Sequence, residues 1–123
     1  MEQEQSDNES MQDLRDRTRN YALRIIKLYD AMPMRGASRV LREQVIRSGT
    51  SVGAHYREAI RSRSTSEYVA KLNGGLMELE ETLYWIELIE AAEIVPARKL
   101  ASLKSETDQL TAILVSLIMK RKR

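Results

Sequence analysis

From Val69 to Ile89 an apolar residue recurs every three or four positions: Val69, Leu72, Leu76, Leu79, Leu83, Ile86 and Ile89. That period gathers these side chains on one stripe of an α-helix and does not fit a strand, whose faces alternate every second residue. A helix with one apolar stripe gains most of its stability by burying that stripe, so the segment requires helical neighbours.

The rest of the chain supplies them. Leu14, Tyr21, Ile25, Leu28 and Met32 follow the same spacing, with Ala22, Ile26 and Tyr29 widening the face. Pro33 closes that segment, and Met32 to Gly36 reads as a connector. Ser10, with Asp13 three residues on, is a candidate cap for the first helix, and Ser38 for the second. Leu41, Val45, Ser48, Val52, His55 and Ala59 then continue the period through a run of small residues. Ser64-x-x-Glu67 is a capping box that starts the third helix, and Pro96 suits the first turn of a fourth. There Leu100, Leu103, Thr107, Leu110, Leu114 and Leu117 complete the pattern. The chain is therefore expected to be all-α: an up-down-up-down antiparallel four-helix bundle over residues 10–123, with helices at about 12–32, 37–61, 65–92 and 97–121. Residues 1–9, acidic and without an apolar residue after Met1, are expected to stay disordered.

Two glycines inside the second helix each cost roughly 1 kcal/mol relative to alanine. Close helix–helix approach is the expected compensation, with Ser48, Gly49 and Gly53 on one helix and Gly74 and Gly75 on the next marking the crossings. Whether they face each other or another chain is open at this level.

The net charge of +2 conceals strong segregation. Residues 1–13 hold five acids and no base, 14–47 nine bases against three acids, 76–95 six acids and no base, and 96–123 seven bases against two acids. Such sorting suits self-association or a polyanionic partner. The chain has no cysteine, which removes disulfides, thiolate metal sites and thiol nucleophiles. The acidic start is unlike a targeting peptide and no apolar run approaches the ~20 residues that span a bilayer, so a cytoplasmic protein without membrane contact is expected.

No enzyme chemistry stands out. His55 lies on the apolar stripe with Glu58 one turn later, but a di-metal carboxylate bundle uses Glu-x-x-His on two helices, and this is the chain's one histidine, in the reversed order. A hydrogen-bonded interior or interface histidine fits better. Glu58, Glu78 and Glu81 have no partner set for acid–base catalysis and are expected to pair with arginines such as Arg42, Arg47 or Arg57. Nucleophile elbows, phosphate-cradling glycine loops and nucleotide fingerprints are missing. Catalytic residues, cofactors and metals are accordingly expected to be none.

The bases offer more. Arg57, Arg61 and Arg63 crowd the turn between helices two and three, Lys71 follows two turns on, and Lys120, Arg121, Lys122 and Arg123 form a terminal block. Clustered cations without base-reading groups bind phosphate backbones nonspecifically and in a salt-dependent way. On the residues alone, a solvated face with a helix-end tail weighs slightly more than nucleic-acid binding. Tyr56, Tyr68, Tyr84 and Trp85 could stack bases, though helical spacing favours packing. The acids of the third helix, set against bases elsewhere, would allow head-to-tail association into a ring.

The run R-S-G-T-S-V-G-A-H-Y-R-E-A at residues 47–59, with Ser64, Glu67, Tyr68, Lys71 and Leu72, then Glu78, Glu81, Thr82, Tyr84 and Trp85, resembles the bacterial four-helix-bundle proteins also called 23S ribosomal RNA intervening-sequence proteins. The similarity covers about residues 20–118, with His55 where that pattern usually has Asn. The resemblance implies a protomer that assembles as a homopentameric ring. It also implies kinship with the accessory proteins of diversity-generating retroelements, which work with a reverse transcriptase and nucleic acid, and it supplies no catalytic residues. With the resemblance added, the leading expectation is a non-enzymatic oligomer that binds RNA or DNA through Arg57, Arg61, Arg63, Lys71 and the residue 120–123 block. The alternative is a protein–protein scaffold with no nucleic-acid role, whose partners are itself and another protein such as a reverse transcriptase.

Overall fold

The computed structural model describes the backbone of residues 2–122 and the side chains of residues 10–122. It is a four-helix bundle: α1 Glu2–Ala31, α2 Gly36–Ile60, α3 Thr65–Ala91 and α4 Ala97–Lys122. Short connectors make successive helices antiparallel, so the start of α1, the α2–α3 turn and the end of α4 share one end of the bundle. Helices pack chiefly on their sequence neighbours, and the α1–α4 seam that closes the bundle is the sparsest.

The last three helices fall within a residue of the expected bounds. The first is longer: its backbone is helical from Glu2, where the sequence predicts a start near residue 12 and a disordered leader over residues 1–9. Glutamate is a good helix former and acids near a helix N-terminus meet the positive dipole end, so that stretch has local reasons to be helical.

Two local expectations change. Ser38 does not cap α2: the N-cap is Arg35, without a side-chain hydrogen bond, and Ser38 is buried within the helix. The inward residue of the second stripe is Tyr56, at 2% exposure, with His55 half-buried beside it. One half of the capping box forms as expected, with Glu67 N–H donating to Ser64 Oγ at 3.1 Å. The Glu67 carboxylate returns to the N–H of Arg63, one residue before the serine, at 3.3 Å. At the far end of α3, Ile94 N–H reaches the carbonyl of Ile89 and Glu93 N–H that of Glu90, with Glu93 at φ 59°, a Schellman closure.

The glycines do mark crossings within the protomer. A Cβ on Gly49 would stand 2.6 Å from Ile25 Cγ1 of α1, and one on Gly53 would stand 3.1 Å from Thr18 Oγ1. Gly74 makes room for the His55 ring and Gly75 for Leu114 of α4. His55 therefore packs across the α2–α3 contact, but its buried Nδ1 has no hydrogen-bond partner among the described residues, unlike the bonded histidine expected.

At mid-height the core carries one hydroxyl from each helix. Tyr21 on α1 meets Thr107 on α4 at 2.7 Å, and Ser48 on α2 meets Thr82 on α3 at 2.7 Å. Thr107 gives its proton to the carbonyl of Leu103 at 2.8 Å, so Tyr21 is the donor to Thr107. Burial holds the Tyr21 phenol protonated and raises its pKa to about 12, with its hydrogen bonding to Thr107 acting in the opposite sense.

Candidate nucleic-acid interface

The basic end is assembled from sequence-distant parts. Arg57 is exposed on the last turn of α2, Arg61 and Arg63 are exposed in the turn after it, and Lys120, Arg121 and Lys122 are exposed on the last turn of α4. Bundle connectivity alone forces the two groups together, because an even number of helices returns the chain to the end it started from. Among the described residues these six cations have no carboxylate within ion-pair distance.

Lys71 sits differently. Its ammonium lies 3.1 Å from Glu58 on α2, so a phosphate at that position would compete with an ion pair already made. Arg123 lies outside the described residues. Of the carboxylates weighed for acid–base chemistry, Glu78 and Glu81 both face Arg47, at 3.7 and 2.6 Å. No group of three or more potential metal ligands occurs among the described residues.

At this end, beside Lys120 and Arg121, the bundle opens into a cavity of about 440 Å³. Leu14, Tyr56 and Ala59 form its buried floor. Tyr68, Ser62, Lys120 and Arg121 stand around it. Arg121 places its guanidinium carbon 4.3 Å from the centroid of the Tyr68 ring, a cation–π contact that ties the end of α4 to the start of α3. Burial raises the Tyr56 phenol to about 12 and raises that of Tyr68 as well, with Arg121 acting in the opposite sense on Tyr68. Both phenols are neutral near pH 7 and add no negative charge that would repel a phosphate.

Neither this cavity nor the Arg121–Tyr68 contact is apparent from the sequence. The signal that could have found them is topological: Tyr68 opens α3 and Arg121 closes α4, so antiparallel neighbours place them at one level. A second surface was also missed. Met77 and Tyr84 are 67% and 54% exposed on the outer face of α3, at spacing that sets them beside Glu80 and Glu87. Along the α1–α4 seam, Arg17 donates two hydrogen bonds of 2.8 Å to Glu106, which lowers the carboxyl pKa.

No helix among the described residues is long and apolar enough to cross a membrane. The family model of the 23S rRNA-intervening sequence protein matches residues 11–116. Among solved structures, a Bacteroides thetaiotaomicron protein of unknown function from the S23 ribosomal protein family is 33% identical. The match covers 85% of this chain and 97% of that one, with a TM-score of 0.78. No curated protein matches significantly.

Proposed function

The chain belongs to the 23S rRNA-intervening sequence protein family, and from that premise we propose that it is a non-enzymatic, oligomeric bundle of the cytoplasm that holds RNA or another nucleic acid electrostatically at its basic end. The observation that supports this most is the convergence of Arg57, Arg61 and Arg63 with Lys120, Arg121 and Lys122 on one end, without carboxylates paired to them among the described residues. A polyanion is the partner that such a surface stabilises by releasing counterions. The arrangement contains no base-edge readers on a groove-sized helix, so affinity is expected to be largely independent of sequence.

Binding of a structured RNA at two salt concentrations tests this reading. Affinity should fall steeply as salt rises, and charge reversal at Arg57, Arg61 and Arg63 should abolish it. Absent binding, or affinity indifferent to salt, would reject the electrostatic mechanism.

The alternative, a protein-interaction scaffold, is favoured by a different surface. Met77 and Tyr84 on the outer face of α3, flanked by Glu80 and Glu87, offer apolar contact with an acidic surround. We assign this face to self-association, and a closed ring, five copies if the family resemblance extends to assembly, follows from a head-to-tail contact whose rotation closes. Light scattering checks it: a monomer at micromolar concentration would remove the ring. If the Arg57, Arg61 and Arg63 reversals alter assembly or capture of a protein such as a reverse transcriptase and leave RNA unaffected, the scaffold reading stands instead.

A further inference from the structure

We infer that the cavity at the basic end is a pocket for one unpaired nucleobase, so that the protein prefers single-stranded ends or bulges over continuous duplex; this rests on the nucleic-acid reading above. The volume of about 440 Å³ lies in the range of small-ligand sites, roughly 300–1,000 Å³. Its lining is mixed rather than oily: Met11, Leu14, Ile60 and Leu117 give apolar wall, while Ser62 and the phenols of Tyr56 and Tyr68 give polar edges. The Tyr56 hydroxyl already donates to the Met11 carbonyl at 3.4 Å and the Ser62 hydroxyl to the Glu58 carbonyl at 3.2 Å, so it is the Tyr68 ring at the rim, beside cationic side chains, that favours a heteroaromatic ring able to stack on it.

The rim supplies the phosphates' counterpart. Lys120 and Arg121 line the opening from α4, and Ser62 lines it from the turn, held in the chain between the exposed Arg61 and Arg63. A nucleotide whose base enters the cavity thus leaves its backbone between two cationic groups. Arg121 has a specific part. In the free protein its guanidinium covers the Tyr68 ring, a solvent-exposed contact of the weaker kind. An entering base takes that place on the ring, and the displaced guanidinium turns to the flanking phosphate, where a charge-assisted hydrogen bond replaces the cation–π contact. Continuous duplex cannot use this site, because its bases are already stacked and paired.

The test compares the full chain binding a blunt duplex with binding the same duplex carrying a three-nucleotide 3′ overhang, in RNA and in DNA, by fluorescence anisotropy. A 2-aminopurine at the overhang reports stacking by quenching. The expected result is an overhang preference of about tenfold, the scale of one base–aromatic stack. Tyr68→Leu should remove the preference and the quenching, and Tyr68→Phe should retain both. Lys120→Gln, an exposed change that leaves the fold intact, should weaken overhang binding more than blunt binding. Equal affinity for blunt and overhung duplex would overturn the pocket and leave the electrostatic reading standing. Loss of all binding in the unsubstituted chain would instead reject that reading, and the pocket with it. Saturable binding of decanoate with no overhang preference would overturn the assignment in favour of an amphipathic acid.

Discussion

Arg121 lies with its guanidinium carbon 4.3 Å from the ring centroid of Tyr68, joining the final turn of α4 to the first turn of α3 across the mouth of the cavity. The same arginine thus contributes to closing the bundle end and to the charge that end displays, and the two roles separate energetically. A solvent-exposed cation–π contact contributes about 0.5–1 kcal/mol. A lost phosphate contact lowers affinity and its salt dependence together.

Arg121→Gln should therefore lower stability by no more than about 1 kcal/mol while weakening nucleic-acid binding severalfold. Urea unfolding set beside anisotropy checks the split. Equal, small effects on both would show that the side chain is structural only.

Gly49→Ala should destabilise the protein by about 1–3 kcal/mol, because the new methyl group meets the fully buried, branched Ile25 at 2.6 Å. Gly53→Ala meets Thr18 Oγ1 at 3.1 Å, and the roughly 1 kcal/mol gained in helix propensity should leave it near neutral. Thermal melts of the two variants give the order directly.

Tyr21→Phe should cost about 1 kcal/mol, since it removes one buried hydrogen bond while Thr107 keeps its bond to the Leu103 carbonyl. The helical circular dichroism should be unchanged. Because the hydroxyl layer draws on all four helices and Thr82 neighbours Tyr21 as well as Ser48, adding Ser48→Ala tests whether its two halves are coupled: a departure from additive losses is expected for groups in one network.

Glu106 has a pKa lowered first by its hydrogen bonds from Arg17, so its folded-state value lies below its unfolded one. Its contribution to stability is present above the unfolded value and is lost as pH falls through the depressed folded value. Glu106→Gln should flatten the acid limb of the stability profile and cost about 1 kcal/mol at pH 7, on a pair that is partly exposed. Urea midpoints between pH 2 and 7 check both statements, the sampled range being about that of ordinary carboxylate titration. The effect matters more here than on a tighter interface, because α1 and α4 share the sparsest seam.

The helices were legible because their signals are local. A three/four period, a proline and a capping box act within one or two turns, and α2, α3 and α4 lie within a residue of where those signals put them. Ser38 does not cap because serine caps a helix only if the chain turns there, and the turn falls three residues sooner, at Arg35, next to Gly36 with φ +56°. His55 and Tyr56 are adjacent, and a stripe read by period alone does not say which is inward; the longer phenol fills the floor of the cavity and the imidazole fits over Gly74. Ser48 and Thr107 sat in apolar stripes, which pointed to buried hydroxyls but not to their partners thirty-four and eighty-six residues away. The runs of cations at residues 57–63 and 120–122 are visible in the sequence, and bundle topology puts them at one end. That Lys71 is held by Glu58 while Arg121 lies on Tyr68 depends on rotamers and helix rotation, which composition does not encode.

The most direct test of the central claim is the salt dependence of single-stranded RNA binding by the unsubstituted chain and by an Arg61→Gln, Arg63→Gln double variant. Log K should fall linearly with log salt, with a slope shallower by roughly 1.4 in the variant, about 0.7 for each phosphate contact removed. Binding that ignores salt, or a slope that the two substitutions leave unchanged, would contradict it.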